Sequence, residues 1–246
     1  KPLVKIAYPF ATNLILPDVC SAGKYSKKKI GIKSYHELAY LHPNYFTPNK
    51  KKISKYIDVV SPFFIIRFSG LSAYHDKGKS GITSDLAYEL IKILSPHGAI
   101  FISAERQLEK EFEKYRISLN PVDIHHALYY ADIFIGDSQT MAAESAVLGT
   151  PFIRYNDFVG KLGYLDELEN IYGLGYGIST LEPQKFLNKV KELLALKNKV
   201  QYYRKKREQM LNEKIRYTDF LIWFIENFPK SRETMINNPE YQFNFK

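Results

Sequence analysis

IFIGDSQTMAAESAVLGTPFIR, residues Ile133 to Arg154, is the stretch whose reading decides the fold. Ile133–Ile135 is a short apolar run that predicts a buried strand, and the small polar GDSQT that follows predicts a tight turn. Thr140–Leu148 reads as a helix closed by Gly149, and Pro151 then opens a second strand at Phe152–Arg154. Strand, turn, helix and strand in this order form the repeating unit of a parallel sheet with right-handed crossovers. In an open sheet of this kind the carboxyl ends of the strands face the binding crevice, so the GDSQT turn is expected there. Such a turn leaves the backbone N–H groups of about Ser138 to Met141 unpaired and aimed at the crevice, and the helix dipole adds to the attraction for an anion.

That geometry assigns candidate roles. Ser138 and Thr140 can cap the helix or offer hydroxyls to a phosphate or diphosphate. Glu144, one turn further on, is poorly suited to a phosphate but well suited to accept hydrogen bonds from vicinal ribose hydroxyls. The plainer alternative is a buried helix that Asp137–Thr140 caps and Gly149 ends. The full spacing, Asp-Ser-x5-Glu-x3-Leu-Gly-x-Pro, favours a site.

Outward from this segment the same alternation continues. Strands are predicted at Phe63–Phe68, Ala99–Ser103, Ile117–Leu119 and Gly173–Ile178, and helices at Thr83–Leu94, Arg106–Tyr115 and Val122–Tyr130. Three more helices follow at Pro183–Leu196, Lys199–Leu211 and Tyr217–Asn227. The fold class expected is therefore α/β, a doubly wound parallel sheet occupying residues 48–228. Ahead of it lie strands at Asn13–Leu16 and Lys29–Ile32 and a short helix from Ser34 to Leu41. Two strands cannot make a sheet domain alone, so residues 1–47 are expected to be the tail of a truncated preceding domain. His42–Lys52, with two prolines and a lysine cluster, reads as the linker, and 229–246 as a C-terminal tail. Tyr155–Asn170 reads as a loop.

Composition bounds the functions. At 246 residues and 45% apolar, the chain can bury a sizeable core, and no apolar run reaches the ~20 residues needed to span a bilayer. One cysteine, Cys20, excludes an internal disulfide and a cysteine-based zinc site, and reads as a small buried hydrophobe. No secretory leader is visible, and the expected location is cytoplasmic, with peripheral contact at the inner face of the membrane as the extension that the charge allows. The net charge is +9, concentrated at Lys24–Lys29, Lys50–Lys55 and Arg204–Arg207. The runs lie far apart and no nucleic-acid-binding motif accompanies them, so a solvated basic surface is favoured over a nucleic-acid partner.

The DS…E…LGTP segment resembles the C-terminal domains of GT-B glycosyltransferases and of non-hydrolysing UDP-N-acetylglucosamine 2-epimerases. GDSQTMAAESAVLGTPFIR, IRFSGLSAYHDKG and KSYHELAYLHPNYFTP resemble still more closely a family of uncharacterised prokaryotic proteins with this fold, known as a domain of unknown function and often found near surface-polysaccharide genes. The resemblance implies a Rossmann-like GT-B C-terminal domain, with the diphosphate on Ser138, Gln139 and Thr140 and the ribose on Glu144. Where the epimerases carry His-Arg-x-Glu-Asn this chain has RFSGLSAYHDKG, which argues against epimerase chemistry.

Other candidates follow from position. Arg67 and His75 stand at or beyond the end of the first strand of the predicted domain, at the crevice edge; Arg67 is expected on the diphosphate, and His75 as a cation for the diphosphate or an acid/base. The resemblance implies that Asn120, Val122 and Ile124 face the nucleobase, and that Asn156 and Asp157 face the sugar. His125 and His126, being adjacent, point to different helix faces and do not suit a metal pair, so no metal is expected. No cofactor is expected; a nucleotide sugar, UDP-linked, would be the substrate. The function implied is the nucleotide-sugar-binding half of a GT-B-type glycosyltransferase or epimerase-like enzyme in glycan synthesis, inactive without its N-terminal domain. The alternative is a non-catalytic nucleotide-sugar-binding or assembly protein on the same scaffold.

Overall fold

The structure is a computed structural model and describes residues 2–70 and 81–246. The chain begins with helix α1 (Pro2–Phe10), strand β1 (Leu14–Pro17), a 3₁₀ turn over Gly23–Lys28, strand β2 (Lys29–Ile32) and two single-turn helices, α2 (Leu38–Leu41) and α3 (Lys50–Ile53). The α/β series follows as β3 (Phe63–Phe68), α4 (Ser84–Leu94), β4 (Ala99–Ala104), α5 (Ile124–Tyr130), β5 (Ile133–Gly136) and α6 (Gln139–Leu148). It continues with β6 (Phe152–Tyr155), α7 (Gly163–Asn170), β7 (Gly175–Ile178), α8 (Pro183–Ala195), α9 (Lys199–Glu213), α10 (Tyr217–Glu226) and α11 (Lys230–Asn237).

Five strands form one parallel sheet in the order β4-β3-β5-β6-β7, and β1 and β2 pair in a second, two-stranded parallel sheet. The α/β parallel class expected from the sequence is the class observed. The near-continuous apolar runs in β3 and β5 explain why these are the middle strands: strands covered by helices on both faces have no polar side to show. The chain starts at β3, steps outward to β4, then returns to place β5 on the other side of β3 and continues outward through β6 and β7. Right-handed crossovers running in opposite directions put their helices on opposite faces, which gives the sheet its double winding. The reversal also creates a switch point between β3 and β5, where the chain diverges and a crevice opens.

Helix α6 occupies an unusual position. Every residue from Met141 to Leu148 is buried, Glu144 and Ser145 included. The small residues Ala142, Ala143, Ser145 and Ala146 let the helix sit between its neighbours without a solvent face. Its carboxyl end closes at Gly149 with φ of 78°, the left-handed conformation that glycine adopts without a Cβ penalty. Arg204 donates from Nη1 to the Leu148 carbonyl and from Nη2, at 2.5 Å, to that of Tyr129, and Arg207 Nε donates to that of Val147 at 2.6 Å. Part of one basic run therefore serves the fold, since the cations satisfy carbonyls a helix end leaves open. Lys28 does the same for α1, its ammonium donating to the carbonyls of Tyr8, Pro9 and Ala11.

The large core surrounds the five-stranded sheet and includes Tyr35, Leu38 and Leu41 from the N-terminal segment. A smaller core joins Ile30 and Ile32 of β2 to Phe220 and Phe224 of α10 and Met235 of α11. The His42–Lys52 segment is laid along α5: Phe46 stacks on His126 at 4.8 Å between centroids, and the Asn49 N–H donates to His126 Nδ1 at 3.2 Å.

Three expectations need correction. Ile117–Leu119 is not a strand but a single bridge from Arg116 to Ile102, because Asn120 and Pro121 turn the chain at once into a 3₁₀ helix. Arg106–Tyr115 is helical only over Lys110–Tyr115, and as 3₁₀; Arg106 is instead held out to donate to the Ile82 carbonyl at 2.5 Å. The Tyr155–Asn170 loop is half helix, since α7 begins at Gly163. No helix among the described residues is long and apolar enough to cross a membrane.

Candidate functional site

All five strands run the same way, so Phe68, Ala104, Gly136, Tyr155 and Ile178 end on one edge. At the switch point Ser69 and Ile82 lie beside the turn after β5. Asp137 ties the two together: its Oδ1 accepts from the Ser69 N–H at 2.6 Å and its Oδ2 from the Ile82 N–H at 3.4 Å. The carboxylate thus grips both ends of the segment between β3 and α4. Burial pushes the Asp137 pKa up, against the pull of these N–H donors. Gly81 is required for this approach, because a Cβ at that position would collide with the Asp137 carboxylate.

Helix α6 starts immediately after Asp137 and points its first turn at the edge. Ser138 is its N-cap, the Oγ accepting from the Met141 N–H at 3.3 Å. This leaves the N–H groups of Gln139 and Thr140 as the ones a first helical turn does not pair internally. Ser138 and Gln139 are partly exposed and Thr140 is exposed, so the turn presents itself outward.

Beside it lies a cavity of about 390 Å³ lined by Arg67, Ser103, Asn120, Ile124 and Met141, among others. Of the residues expected at the nucleobase, Asn120 and Ile124 line this cavity, while Val122 is 74% exposed and does not. Asn120 uses its own side chain to cap the following turn, accepting from the Val122 N–H at 3.2 Å. Arg67, expected on the diphosphate, reaches along the sheet instead: Nη1 donates to Ser103 Oγ at 2.6 Å and Nη2 pairs with Glu105. Its charge is therefore countered from β4 and beyond. Its Nε is buried with no hydrogen-bond partner among the described residues.

Glu144 is 7% exposed and held from two sides. Tyr40 donates its hydroxyl to Oε1 at 2.9 Å, and His125 Nε2 lies 3.0 Å from the same oxygen. Tyr40 and His125 also pack on each other, their rings 5.6 Å apart. Behind them stands Glu37, 5% exposed, whose pKa burial raises to about 7, with its own backbone N–H pulling down and the charge of Glu144 pushing up. Sequence reasoning missed Tyr40, His125 and Glu37 as site residues. The available signal was Glu37 itself, a carboxylate inside the otherwise aromatic and apolar run YHELAYL.

Asn156, expected to face the sugar, does not. It is fully buried, its Nδ2 donating to the Asp137 carbonyl at 3.0 Å and its Oδ1 accepting from the Phe158 N–H at 2.9 Å. An amide fixed at both ends to backbone shapes the turn rather than greeting a ligand. Arg154 extends the network: it is 0% exposed, and its Nε and Nη2 donate to Glu169 Oε1 at 2.9 and 2.7 Å. Asp157 is partly exposed and accepts from Thr180 Oγ1. His75 lies outside the described residues. Among the described residues no group of three His, Cys, Asp or Glu side chains is placed to hold a metal ion.

Comparison with solved structures gives similarity to the wall teichoic acid polymerase TagF, at 15% identity and a TM-score of 0.47, over 86% of this chain and 56% of that one. The calicheamicin glycosyltransferase CalG4 is similar at 13% identity and a TM-score of 0.46, over 75% of this chain and 45% of that one. The spinosyn rhamnosyltransferase SpnG complexed with thymidine diphosphate is similar at 14% identity and 0.46, over 68% and 46%. The chain spans about half the length of these proteins. No curated protein matches it. Residues 4–168 match the model of the family described as "Protein of unknown function (DUF354)", and the chain belongs to that family.

Proposed function

We propose that this chain is the donor-binding half of a GT-B-type enzyme that uses a nucleotide sugar, with the nucleoside diphosphate seated at the switch point between β3 and β5. One observation carries the reading: the outward-facing first turn of α6 adjoins a cavity of about 390 Å³ at the carboxyl edge of the sheet. An anion gains from the turn's N–H groups and dipole, and a flat apolar ring can fill the cavity between Ile124 and Met141. Ser138, Gln139 and Thr140 hold the diphosphate. Glu144, one turn along α6 and oriented by Tyr40 and His125, accepts from ribose hydroxyls. Arg67 lines the cavity beside the bound nucleoside, its guanidinium held by Ser103 and Glu105. In transfer, the helix N-terminus stabilises the departing diphosphate as negative charge develops on it.

The test is calorimetry with UDP, GDP and CMP and their sugars, on wild type and on Glu144→Gln. Micromolar binding of one nucleotide series, weakened about tenfold by Glu144→Gln, is the expected result. The loss of a charge-assisted hydrogen bond of about 1.5–3 kcal/mol sets that scale. Absence of binding by every nucleotide overturns the donor-site reading, and unchanged affinity in Glu144→Gln overturns the ribose assignment.

A further inference from the structure

The basic run Lys24–Lys29 divides into lysines that serve the fold and lysines that do not. Lys28 donates to the carbonyls of Tyr8, Pro9 and Ala11 at the end of α1, and Lys29 donates to the Asp18 carbonyl at 2.7 Å. Lys24 and Lys27 are exposed, and so is Lys5 on α1. Seven lysines fall in residues 1–36 against a single acid, Asp18, which Lys33 already pairs at 2.6 Å. Most of the chain's net charge of +9 is therefore gathered in this segment, with no carboxylate of its own left to balance it. Helix α1 also carries apolar side chains on two sides. Val4 and Tyr8, one turn apart, form its half-buried side. Ile6 and Phe10, one turn apart on the opposite side, are 66% and 87% exposed, and neither belongs to a core among the described residues. A helix that only covered its own core would be polar on that outer side. The Tyr8 ring meets Tyr25 edge-on at 5.7 Å, and Lys24 Nζ lies 5.2 Å from the centre of the Tyr25 ring. These contacts and Lys28 join α1 to the 3₁₀ turn, so the outer apolar side chains and the exposed lysines belong to one small unit.

We propose that α1 and the 3₁₀ turn dock this protein on an anionic lipid surface, with Ile6 and Phe10 entering the interface and Lys5, Lys24 and Lys27 meeting the headgroups. The charge selects the occupant. An anionic bilayer face is negative over an area larger than this unit and attracts each lysine that comes within a Debye length of it. The apolar side of the helix supplies the second contribution, since binding at such an interface adds buried apolar area to the attraction for anionic lipid. A helix of nine residues lies in the interface and does not cross the bilayer. A nucleic acid would use the lysines and leave Ile6 and Phe10 in water. A second copy of the chain would bring the same lysines against themselves. The proposal stands apart from the donor-site reading, because α1 and the 3₁₀ turn share no residue with the edge formed by β5 and α6.

Two measurements test this. The first is flotation with vesicles of equal parts phosphatidylglycerol and phosphatidylcholine, at ~0.1 M salt, where the Debye length is about 10 Å. Wild type is expected to float with these vesicles and not with phosphatidylcholine alone. The pair Ile6→Ser, Phe10→Ser and, separately, the pair Lys24→Gln, Lys27→Gln should each lower the partition by about tenfold or more. All four side chains are exposed, so the thermal melt of either variant should match wild type. Failure of wild type to float with the anionic vesicles overturns the proposal. Binding that survives loss of the apolar pair overturns it in favour of a general polyanion site. Self-association without vesicles that the apolar pair abolishes overturns it in favour of a contact between copies. The second measurement reads depth with Phe10→Trp. Its emission should be quenched by bromine-labelled acyl chains well beyond that of wild type, whose only tryptophan, Trp223, lies on α10. Equal quenching in the two proteins overturns the insertion of α1.

Discussion

Replacing Glu169 with Gln tests how the wall behind the site is held. Arg154 is the largest fully buried side chain among the described residues, and its guanidinium rests on Glu169 Oε1 through two donors at 2.9 and 2.7 Å, with a third reaching Asn156 Oδ1 at 3.4 Å. Glutamine keeps the shape and one acceptor oxygen but leaves a buried cation without its counter-charge. Breaking one side of such a pair costs about 3–5 kcal/mol. Burial already raises the Glu169 pKa in spite of Arg154, so desolvation weighs heavily here and the cost should fall at the lower end, about 3 kcal/mol. For a chain of this length that is roughly a 6–12 °C drop in Tm. Urea denaturation followed by circular dichroism, with the m-value unchanged, measures it. The double variant Arg154→Met, Glu169→Met removes both charges and should recover most of the loss, because an apolar pair in that space costs no desolvation. A Glu169→Gln variant within 1 kcal/mol of wild type, or a double variant worse than the single, would refute the reasoning.

Two further outcomes follow from other positions. Gly149→Ala places a Cβ in a left-handed residue and 2.8 Å from Arg207 Cδ, so a loss of about 1–2 kcal/mol is expected by guanidinium denaturation; no loss would mean the α6 terminus relaxes freely. Glu37 has its folded pKa at about 7 against an ordinary 4.5, so its ionisation opposes folding. Below pH 4.5 it is protonated in both states and costs nothing; as pH rises from 4.5 to 7 the cost grows to about 3 kcal/mol and stays there above 7. The stability gap between Glu37→Gln and wild type should therefore widen by that amount between pH 4.5 and 8, and a gap that does not change with pH would exclude it.

The sheet was largely legible before the structure. FFIIRF, IFIG and FIRY are mostly apolar runs, as the interior strands β3, β5 and β6 of a parallel sheet require, while the similar run AIFIS became the edge strand β4. The turn at Ser138 was legible too, because capping chemistry is local and Ser138 does cap α6. What failed is what depends on distant neighbours. Nothing near Asn156 in sequence says that its amide will be claimed by the Asp137 carbonyl, 19 residues earlier. Arg67 sits at the right place on β3, but Ser103 and Glu105 take its guanidinium from the adjacent strand and the turn beyond it. Tyr40 and His125 became site residues only because α2 and α5 flank α6, a packing choice no local pattern encodes. Ile117–Leu119 shows the reverse error: an apolar pair is compatible with a strand, but Pro121 denies the chain the length to form one.

Helix α6 has consequences for how such a protein can change. With Met141 through Leu148 all enclosed, no residue of the helix body can be exchanged without disturbing a neighbour. The body of the helix is thus a fixed fitting, and substitution is free only where side chains still meet water. Val122, 74% exposed on the turn beside the cavity, is such a place. A lineage, or an engineer, altering this edge of the sheet would have to work around the rim and leave the helix body alone.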